Sequence, residues 1–411
     1  MTNKEYLLVT EYFHPDTAST GQLMTDLATG LQERGLDMSV YTSQPNYHSG
    51  ENQKQPYSED YNGVSVRRIR APQVRQKSLL RRLLNWTVFI IWMTVVLLLE
   101  TPDKERELIF VSITPLLPII LTATCKIKGW EYTYIAYDLY PDQAVELGYV
   151  SRRGIIDRIW TWLTVWSYRG AKNIVSNGPI MTERIMAKSH HSLNAEKISL
   201  IHNWADEDFI KPIEKEDNWF SREHGLVDPF TVIYSGNIGE FHDLETVVRV
   251  ATRFKDKKVK FLIIGEGDDK QNIIELARDL DLGQDTIQFL PYQPWDDIPY
   301  SLTAGDVSIV TVRKGFEGVC VSSKLYTSMA VGEPVLTIAQ PHDDESILTD
   351  MFNAGFHVKQ GDLDSIEQAI NSWRRDPEFH NEQGRNARVG FEENFTKRHS
   401  VDNYYQMLSD S

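Results

Sequence analysis

The sequence predicts an α/β protein built from two successive doubly wound units. Three observations predict it. Short apolar runs of strand character alternate with helical patterns along nearly the whole chain, the signature of parallel sheets covered by helices. The alternation pauses once, in a polar, proline-containing stretch at residues 201–217, and then restarts. The chain has 411 residues, more than one hydrophobic core is expected to serve.

In the first half, strands are expected at residues 6–10, 38–42, 64–69, 108–112, 131–136 and 173–176. The first of these is too short for the apolar core of a signal peptide. A helix is expected at 22–34, ended by Gly35. Another, at 155–168, carries Trp160, Trp162 and Trp166 near helical spacing, which predicts core packing. After the pause, strands are expected at 230–235, 259–264, 287–290, 307–310, 335–338 and 355–358, with helices at 244–254 and 324–330 among those between. The expected domains are 1–203, 204–395 and a closing helix, 396–411, that returns to the first domain. Ligands of open parallel sheets bind beyond the carboxyl ends of the strands, so two such units are expected to face a binding cleft.

Composition excludes several classes of function. Net charge is -15, and an acidic chain does not neutralise nucleic-acid phosphates. Hydrophobic residues make up 41% and charged residues 25%, an ordinary globular balance. Two cysteines, Cys125 and Cys320, make neither a disulfide framework nor a thiolate metal site, and they suit a reducing cytoplasm. Asp279-Leu280-Asp281 and Asp362-Leu363-Asp364 have the look of D-x-D metal motifs but lack convergent ligands. No metal and no cofactor are expected.

One segment departs from the acidic average. Arg67, Arg68, Arg70, Arg75, Lys77, Arg81 and Arg82 follow one another with no acidic residue between them. An apolar run at 83–99 comes next, slightly short for a membrane span. It reads as a buried helix, as a helix lying in a lipid interface, or as a span. In the interfacial reading, Arg75, Lys77, Arg81 and Arg82 meet anionic headgroups at about 1 kcal/mol each, and Trp86 and Trp92 sit at the boundary. A span would separate the first strand from everything after it. Segment 67–99 is therefore the membrane-associating candidate.

The loops after the strands carry the chemistry. The first strand leads through Glu11-Tyr12-Phe13-His14-Pro15-Asp16 to Gly21 at a helix start, where backbone N–H groups favour an anion. A plain turn between strand and helix reads equally well there. The second half opens alike: Gly236-Asn237-Ile238-Gly239 follows a strand, without the G-x-G-x-x-G spacing of a dinucleotide fold. Gly265-Glu266-Gly267 ends the next strand. Ser322, Ser323 and Lys324 open a helix, where they hold a diphosphate or, in the case of the serines, only cap the helix.

These motifs, followed by Ser-Lys-Leu-Tyr at 323–326 and Met329-Ala330-Val331-Gly332-Glu333-Pro334, resemble the family 4 retaining glycosyltransferases. Tyr137-Asp138-Leu139-Tyr140-Pro141-Asp142 and Tyr12-Phe13-His14-Pro15-Asp16 are similar to the branch that builds polysaccharides and lipid-linked glycans, including fucosaminyltransferase-like enzymes. The resemblance covers nearly the whole chain. It implies a GT-B fold of two Rossmann-like domains and transfer of a sugar from a nucleotide diphosphate sugar, UDP-linked, to a lipid-linked or glycan acceptor at the cytoplasmic membrane face. It places Gly236, Asn237, Gly239, Ser322, Ser323 and Lys324 by the diphosphate, and Gly21 by the diphosphate or the acceptor. Gly265, Glu266, Gly267, Leu290 and Pro291 go by the nucleoside and Asp138 by the reacting carbon, and the acceptor hydroxyl is expected to enter near His14 and Asp138. Two departures stand out. Thr327 and Val319 occupy the positions where many relatives carry a pair of glutamates, and Asn237 and His242 stand where many carry Arg and Lys. A nucleotide-sugar 2-epimerase and a non-catalytic nucleotide-sugar-binding partner share this build and remain alternatives.

Overall fold

The computed structural model describes residues 4–16, 18–45, 55–69, 79–255 and 258–410. The chain divides into two compact units, Met1–His202 with Ser400–Ser411, and Asn203–His399. Arg70, Arg75 and Lys77 lie outside the described residues.

The first unit holds β1 (Lys4–Val9), β2 (Asp37–Thr42), β3 (Ser58–Tyr61), β4 (Val64–Arg68), β5 (Glu105–Val111), β6 (Glu131–Ala136), β7 (Asn173–Ser176) and β8 (Ile198–Leu200). They form one sheet in the order β3-β4-β2-β1-β5-β6-β7-β8. Every neighbouring pair is parallel except β3 with β4. Central strands of such a sheet are covered on both faces, which is why Leu7, Leu8 and Val9 in β1 and Leu108, Phe110 and Val111 in β5 are all fully buried. The sequence reading omits β3 and β8. β3 is an edge strand of four residues, Ser-Glu-Asp-Tyr, with no apolar face to reveal it. β8 is three residues long.

The helices of this unit are α1 (Ser19–Glu33), α2 (Leu79–Leu99), α3 (Leu117–Lys128), α4 (Asp142–Glu146), α5 (Ile155–Gly170) and α6 (Pro179–Lys188). Right-handed crossovers put α2, α3 and α5 on one face of the sheet and α1 on the other. α2 packs on α3, and α3 on α5. The closing segment returns to this unit. The Arg34 guanidinium meets Asp402 at 2.6 Å, the Tyr6 hydroxyl donates to the Leu408 carbonyl at 3.1 Å, and a Cβ at Gly30 would fall 2.8 Å from Val401.

α2 is buried along a single row, Asn85, Phe89, Met93 and Leu97, spaced four apart so that they stack on one helix face. The opposite row, including Leu84, Ile91, Val95 and Leu98, is exposed. Residues Arg81–Leu99 are long and apolar enough to cross a membrane by length and composition, with mean hydropathy 1.9. The strands on either side of α2, β4 and β5, belong to the same sheet, so the helix begins and ends on that sheet's own layer. The tryptophan helix corrects the sequence reading. Only the second half of α5 is buried, at Thr164, Val165, Ser167 and Tyr168. Trp162 is exposed, and no residue from Ile155 to Leu163 is fully buried.

The second unit repeats the plan with β9 (Phe230–Ser235), β10 (Val259–Ile264), β11 (Ile287–Leu290), β12 (Val307–Thr311), β13 (Val335–Ile338) and β14 (Gly355–Val358). All are parallel, in the order β11-β10-β9-β12-β13-β14. Its helices are α7 (Trp219–Glu223), α8 (Leu244–Ala251), α9 (Lys270–Asp279), α10 (Ile298–Leu302), α11 (Lys324–Val331), α12 (Asp344–Met351), α13 (Leu363–Arg375) and α14 (Pro377–Asn394). α15 (Lys397–Ser409) starts in this unit and ends in the first. Side chains from β9, β10, β12 and β13 meet those of α8, α9 and α13 in one core that includes Tyr234, Phe261, Leu336 and Trp373.

Candidate active site

In the second unit, the loops after β9, β10 and β11 converge with the start of α11. Gly236, directly after β9, has φ +141°, and a Cβ there would fall 2.4 Å from Lys324 Cε. Glycine at 236 is thus the condition for Lys324 to lie across the strand end. Gly265 and Gly267, after β10, have φ +147° and +158°, and Cβ atoms on them would strike the carbonyl oxygens of Gly236 and Ile238 at 1.8 and 2.2 Å. Backbone bonds tie the two loops: Gly236 N donates to Ile264 O at 2.9 Å and Ile238 N to Glu266 O at 2.8 Å. The Asn237 side chain lies between Gly239 and Gly267. Leu290 O accepts from Gly265 N at 3.0 Å, which brings the end of β11 to the same place, with Pro291 exposed beyond it. Lys270 bonds Gly265 O at 2.8 Å and the Glu266 carboxylate at 2.7 Å, bracing the loop. The second unit's candidates thus share the carboxyl edge of one sheet. Lys270 is a residue sequence reasoning missed.

Lys324 is the cation of this edge. Its Nζ lies 3.1 Å from His242 Nε2 and 5.5 Å from the centre of the Tyr234 ring. His242 Nδ1 lies 3.0 Å from the carbonyl oxygen of Thr311, which fixes the tautomer: Nδ1–H donates there, and Nε2 accepts from the lysine. Burial, then the charge of Lys324, lowers the His242 pKa to about 3. Burial lowers Lys324 to about 8, opposed by the thiol of Cys320 and the carboxyl of Glu345. His242 occupies the position where a second cation was sought. Neutral, it is an acceptor that steers Lys324.

Ser322 and Ser323 open α11. Ser322 Oγ accepts from Lys324 N at 3.4 Å, a long capping bond, while Ser323 occupies the N-cap position without a side-chain cap. The glutamate positions are plain. Val319 is fully buried, and the Thr327 hydroxyl turns back to Lys324 O at 3.0 Å. Acidic side chains come instead from the N-cap and first turn of α12. Asp343, Asp344 and Glu345 are wholly buried, and the Ser322 N–H donates to the Glu345 carboxylate. Asp343 Oδ2 and Glu345 Oε2 are enclosed without a hydrogen-bond partner. Burial and mutual repulsion push Asp343 up to about 7 and Glu345 well above the usual range. Sequence reasoning missed this cluster, although Asp343-Asp344-Glu345-Ser346 before a helical pattern was a visible signal.

In the first unit, His14, Glu11, Thr114 and Asp138 belong to the carboxyl edge of β1, β5 and β6. His14 is exposed and stacks on Tyr61, ring centres 4.2 Å apart. Arg68 Nη2 donates to its carbonyl at 2.6 Å. Partial desolvation of its ring, then the Arg68 charge, lowers its pKa. The backbone of Asp138 is held by Ser112, whose Oγ donates to its carbonyl at 2.8 Å. Burial raises its carboxyl to about 7 against a hydrogen bond from Gln143. Glu11, absent from the sequence-derived list, is buried, accepts from Thr114 Oγ1 at 2.6 Å and is raised by burial to about 7. Gly21 is buried in the first turn of α1, and the space for its side chain is filled by Tyr12 Cβ at 3.2 Å and Asp16 O at 3.4 Å. Of the lipid-facing candidates, Arg81 and Trp92 are exposed, Arg82 is partly exposed, and Trp86 is partly buried with its indole nitrogen enclosed.

The two D-x-D segments serve the fold. Asp362 caps α13 by accepting from Ser365 N at 3.0 Å, and Asp364 pairs with Arg253. Asp281 faces Lys255 at 3.9 Å.

Comparison with known proteins bears on the fold and the class of enzyme. Residues 216–389 match the family model for glycosyl transferases group 1. The chain is 25% identical, over 346 residues, to the putative colanic acid biosynthesis glycosyl transferase WcaI of Escherichia coli (strain K12), covering 83% of this chain and 84% of that one. It is 24% identical to the probable glycosyltransferase WbjE of Pseudomonas aeruginosa over 59% of each. Among solved structures, sucrose-phosphate synthase from Thermosynechococcus elongatus superposes with TM-score 0.75 at 14% identity, over 99% of this chain and 100% of that one. Anabaena Alr3699/HepE in complex with UDP-glucose gives 0.74 at 14% identity over the same shares. The fold class is GT-B, the second unit carries a group 1 glycosyltransferase domain, and the chain is a glycosyltransferase.

Proposed function

We propose that this chain is a retaining glycosyltransferase that moves a hexosyl or N-acetylhexosaminyl group from a UDP-linked donor to a lipid-linked or glycan acceptor at the cytoplasmic face of a membrane. The observation that carries the donor half is Lys324 at the start of α11, laid over Gly236 and steered by a neutral His242. A donor diphosphate brings the negative charge that this cation lacks. As the bond from the anomeric carbon to the phosphate oxygen breaks, charge builds on the diphosphate, and Lys324 with the N–H groups of the α11 start stabilises it. The new bond forms from the acceptor hydroxyl to the same carbon, and its proton passes to the departing phosphate oxygen. His14 and Asp138 orient the acceptor. UDP is favoured because HepE, with the same fold, is bound to UDP-glucose.

The membrane half rests on the exposed apolar row of α2 and on Arg81 at its start. An apolar face beside basic residues on an otherwise acidic protein is the composition of an interfacial helix. The buried row on the opposite face keeps the helix on its sheet, so the chain lies on the bilayer rather than crossing it.

Thermal unfolding in the presence of UDP, GDP, ADP and their sugars tests the donor half, since a ligand of the folded state alone raises stability, by about 2.7 kcal/mol at a hundredfold excess over its Kd. UDP compounds are expected to give the largest rise. No rise with any nucleotide, or a new epimer of a donor sugar without acceptor, would overturn the transferase reading.

A further inference from the structure

We infer that the first half of α5 is a second lipid-inserting element, which docks on the same membrane surface as α2. This rests on the membrane reading above and extends it to a part of the chain whose sequence predicts core. Ile155, Ile156, Ile159 and Trp162 are 78%, 65%, 54% and 65% exposed. Their spacing puts them on one stripe of the helix. No residue of this half is fully buried, so the stripe is not the margin of a core that reaches solvent by accident. Single exposed apolar side chains are ordinary, but a contiguous stripe of four large ones marks an interaction surface.

The neighbours decide which partner fits. Arg152, Arg153 and Arg158 surround the stripe, all exposed. Glu146 pairs with Arg152, and Asp157 accepts from the backbone N–H of Arg153 at 2.6 Å and keeps its charge, so the guanidiniums outnumber the carboxylates by one. A basic cluster around an apolar stripe, on a chain of net charge -15, complements an anionic headgroup layer. The fold aligns this element with α2. Both helices lie on one face of the sheet with α3 between them, and each starts at the carboxyl end of the strand before it. Exposed Leu116, just before α3, adds an apolar side chain at that same edge. The docking surface therefore borders the strand ends that carry His14 and Asp138, where a lipid-linked acceptor is needed.

Flotation with vesicles tests the inference, using phosphatidylcholine alone and an equal mixture with phosphatidylglycerol. Three proteins are compared: the wild type, an α5 variant (I155S, I156S and I159S) and an α2 variant (I91S, V95S and L98S). The wild type is expected to bind the anionic vesicles. Each variant, with an unchanged thermal midpoint because the replaced side chains are exposed, is expected to bind about tenfold or more weakly. Brominated lipid is expected to quench wild-type tryptophan fluorescence more than that of Trp162→Tyr. Loss of binding in the α2 variant alone, with equal quenching in wild type and Trp162→Tyr, would overturn the α5 inference and leave the membrane reading standing. A wild type that binds no vesicle would overturn both. Dimers that the α5 variant converts to monomers, without vesicle binding, would assign the stripe to a second copy of the chain and overturn the inference.

Discussion

Lys324 carries its charge at a cost. Burial lowers its pKa to about 8, and its nearest polar neighbour is a neutral imidazole. A bound diphosphate relieves that cost, so the lysine gains more from the donor than an exposed one would. Replacing it with Ala should lower kcat/KM for the donor about ten- to a hundredfold, the worth of one charge-assisted hydrogen bond. Equal kcat/KM in the variant would remove its role. The depressed pKa also has a pH signature. Above about 8 the free enzyme loses the proton that the donor requires, so donor affinity should fall as pH rises from 8 to 10 in the wild type and stay flat in Lys324→Ala. Calorimetric titration at several pH values reads this directly. Lys324 was legible in the sequence as part of a motif. The partnership with His242 was not, because it joins residues far apart in the chain through the loop after β9.

Two elements show how local pattern and packing divide the work. The start of α11 is fixed from behind by the first turn of α12, through the bond from Ser322 N–H to Glu345. The carboxyls of Asp343 and Glu345 titrate higher in the folded state than in the unfolded chain, so the folded state binds their protons more tightly. The contribution of Asp343 to stability is present below about pH 4 and is lost as pH rises to about 7. Asp343→Asn should flatten that loss, measured as the difference in denaturant midpoint between pH 4.5 and 7.5 for variant and wild type. An identical slope in the two proteins would show that Asp343 does not titrate there. In α2, two rows of apolar residues have opposite fates. Met93→Ala, on the buried row, should cost about 2–5 kcal/mol. Ile91→Ser, on the exposed row, should change stability in solution by about 0.5 kcal/mol or less. Equal losses in thermal melts would mean that both rows are buried. The sequence identified the helix but not its orientation, because a run apolar on all sides has no polar face to mark the outside.

At the scale of the molecule, the closing segment is part of the first unit although it follows the second. Val401, Tyr404 and Leu408 are buried, and Tyr6 in β1 donates to the Leu408 carbonyl. Deleting residues 400–411 should therefore expose the α1 face of the first sheet and lower that unit's unfolding temperature, leaving the second unit's transition in place. Limited proteolysis should cut residues 1–202 of the truncated chain first. Preferential cleavage in residues 203–399 would contradict this assignment.

The sequence by itself determined the two doubly wound units, most of their strands and the glycine-rich loops of the second. Those features are written in short-range pattern: alternation, strand length, and glycine where a backbone must pass close to another. Tertiary structure decided the rest. It alone showed that the carboxylate beside the start of α11 comes from Glu345 in the first turn of α12 instead of from positions 319 and 327, and that Glu11 joins Thr114 at the edge of the first sheet. It also turned half of a tryptophan-rich helix outward. The physical reason is the same in each case. Burial and hydrogen-bond partnership depend on which distant segment arrives beside a residue, and helical spacing reads alike whether the apolar stripe meets a core or a membrane.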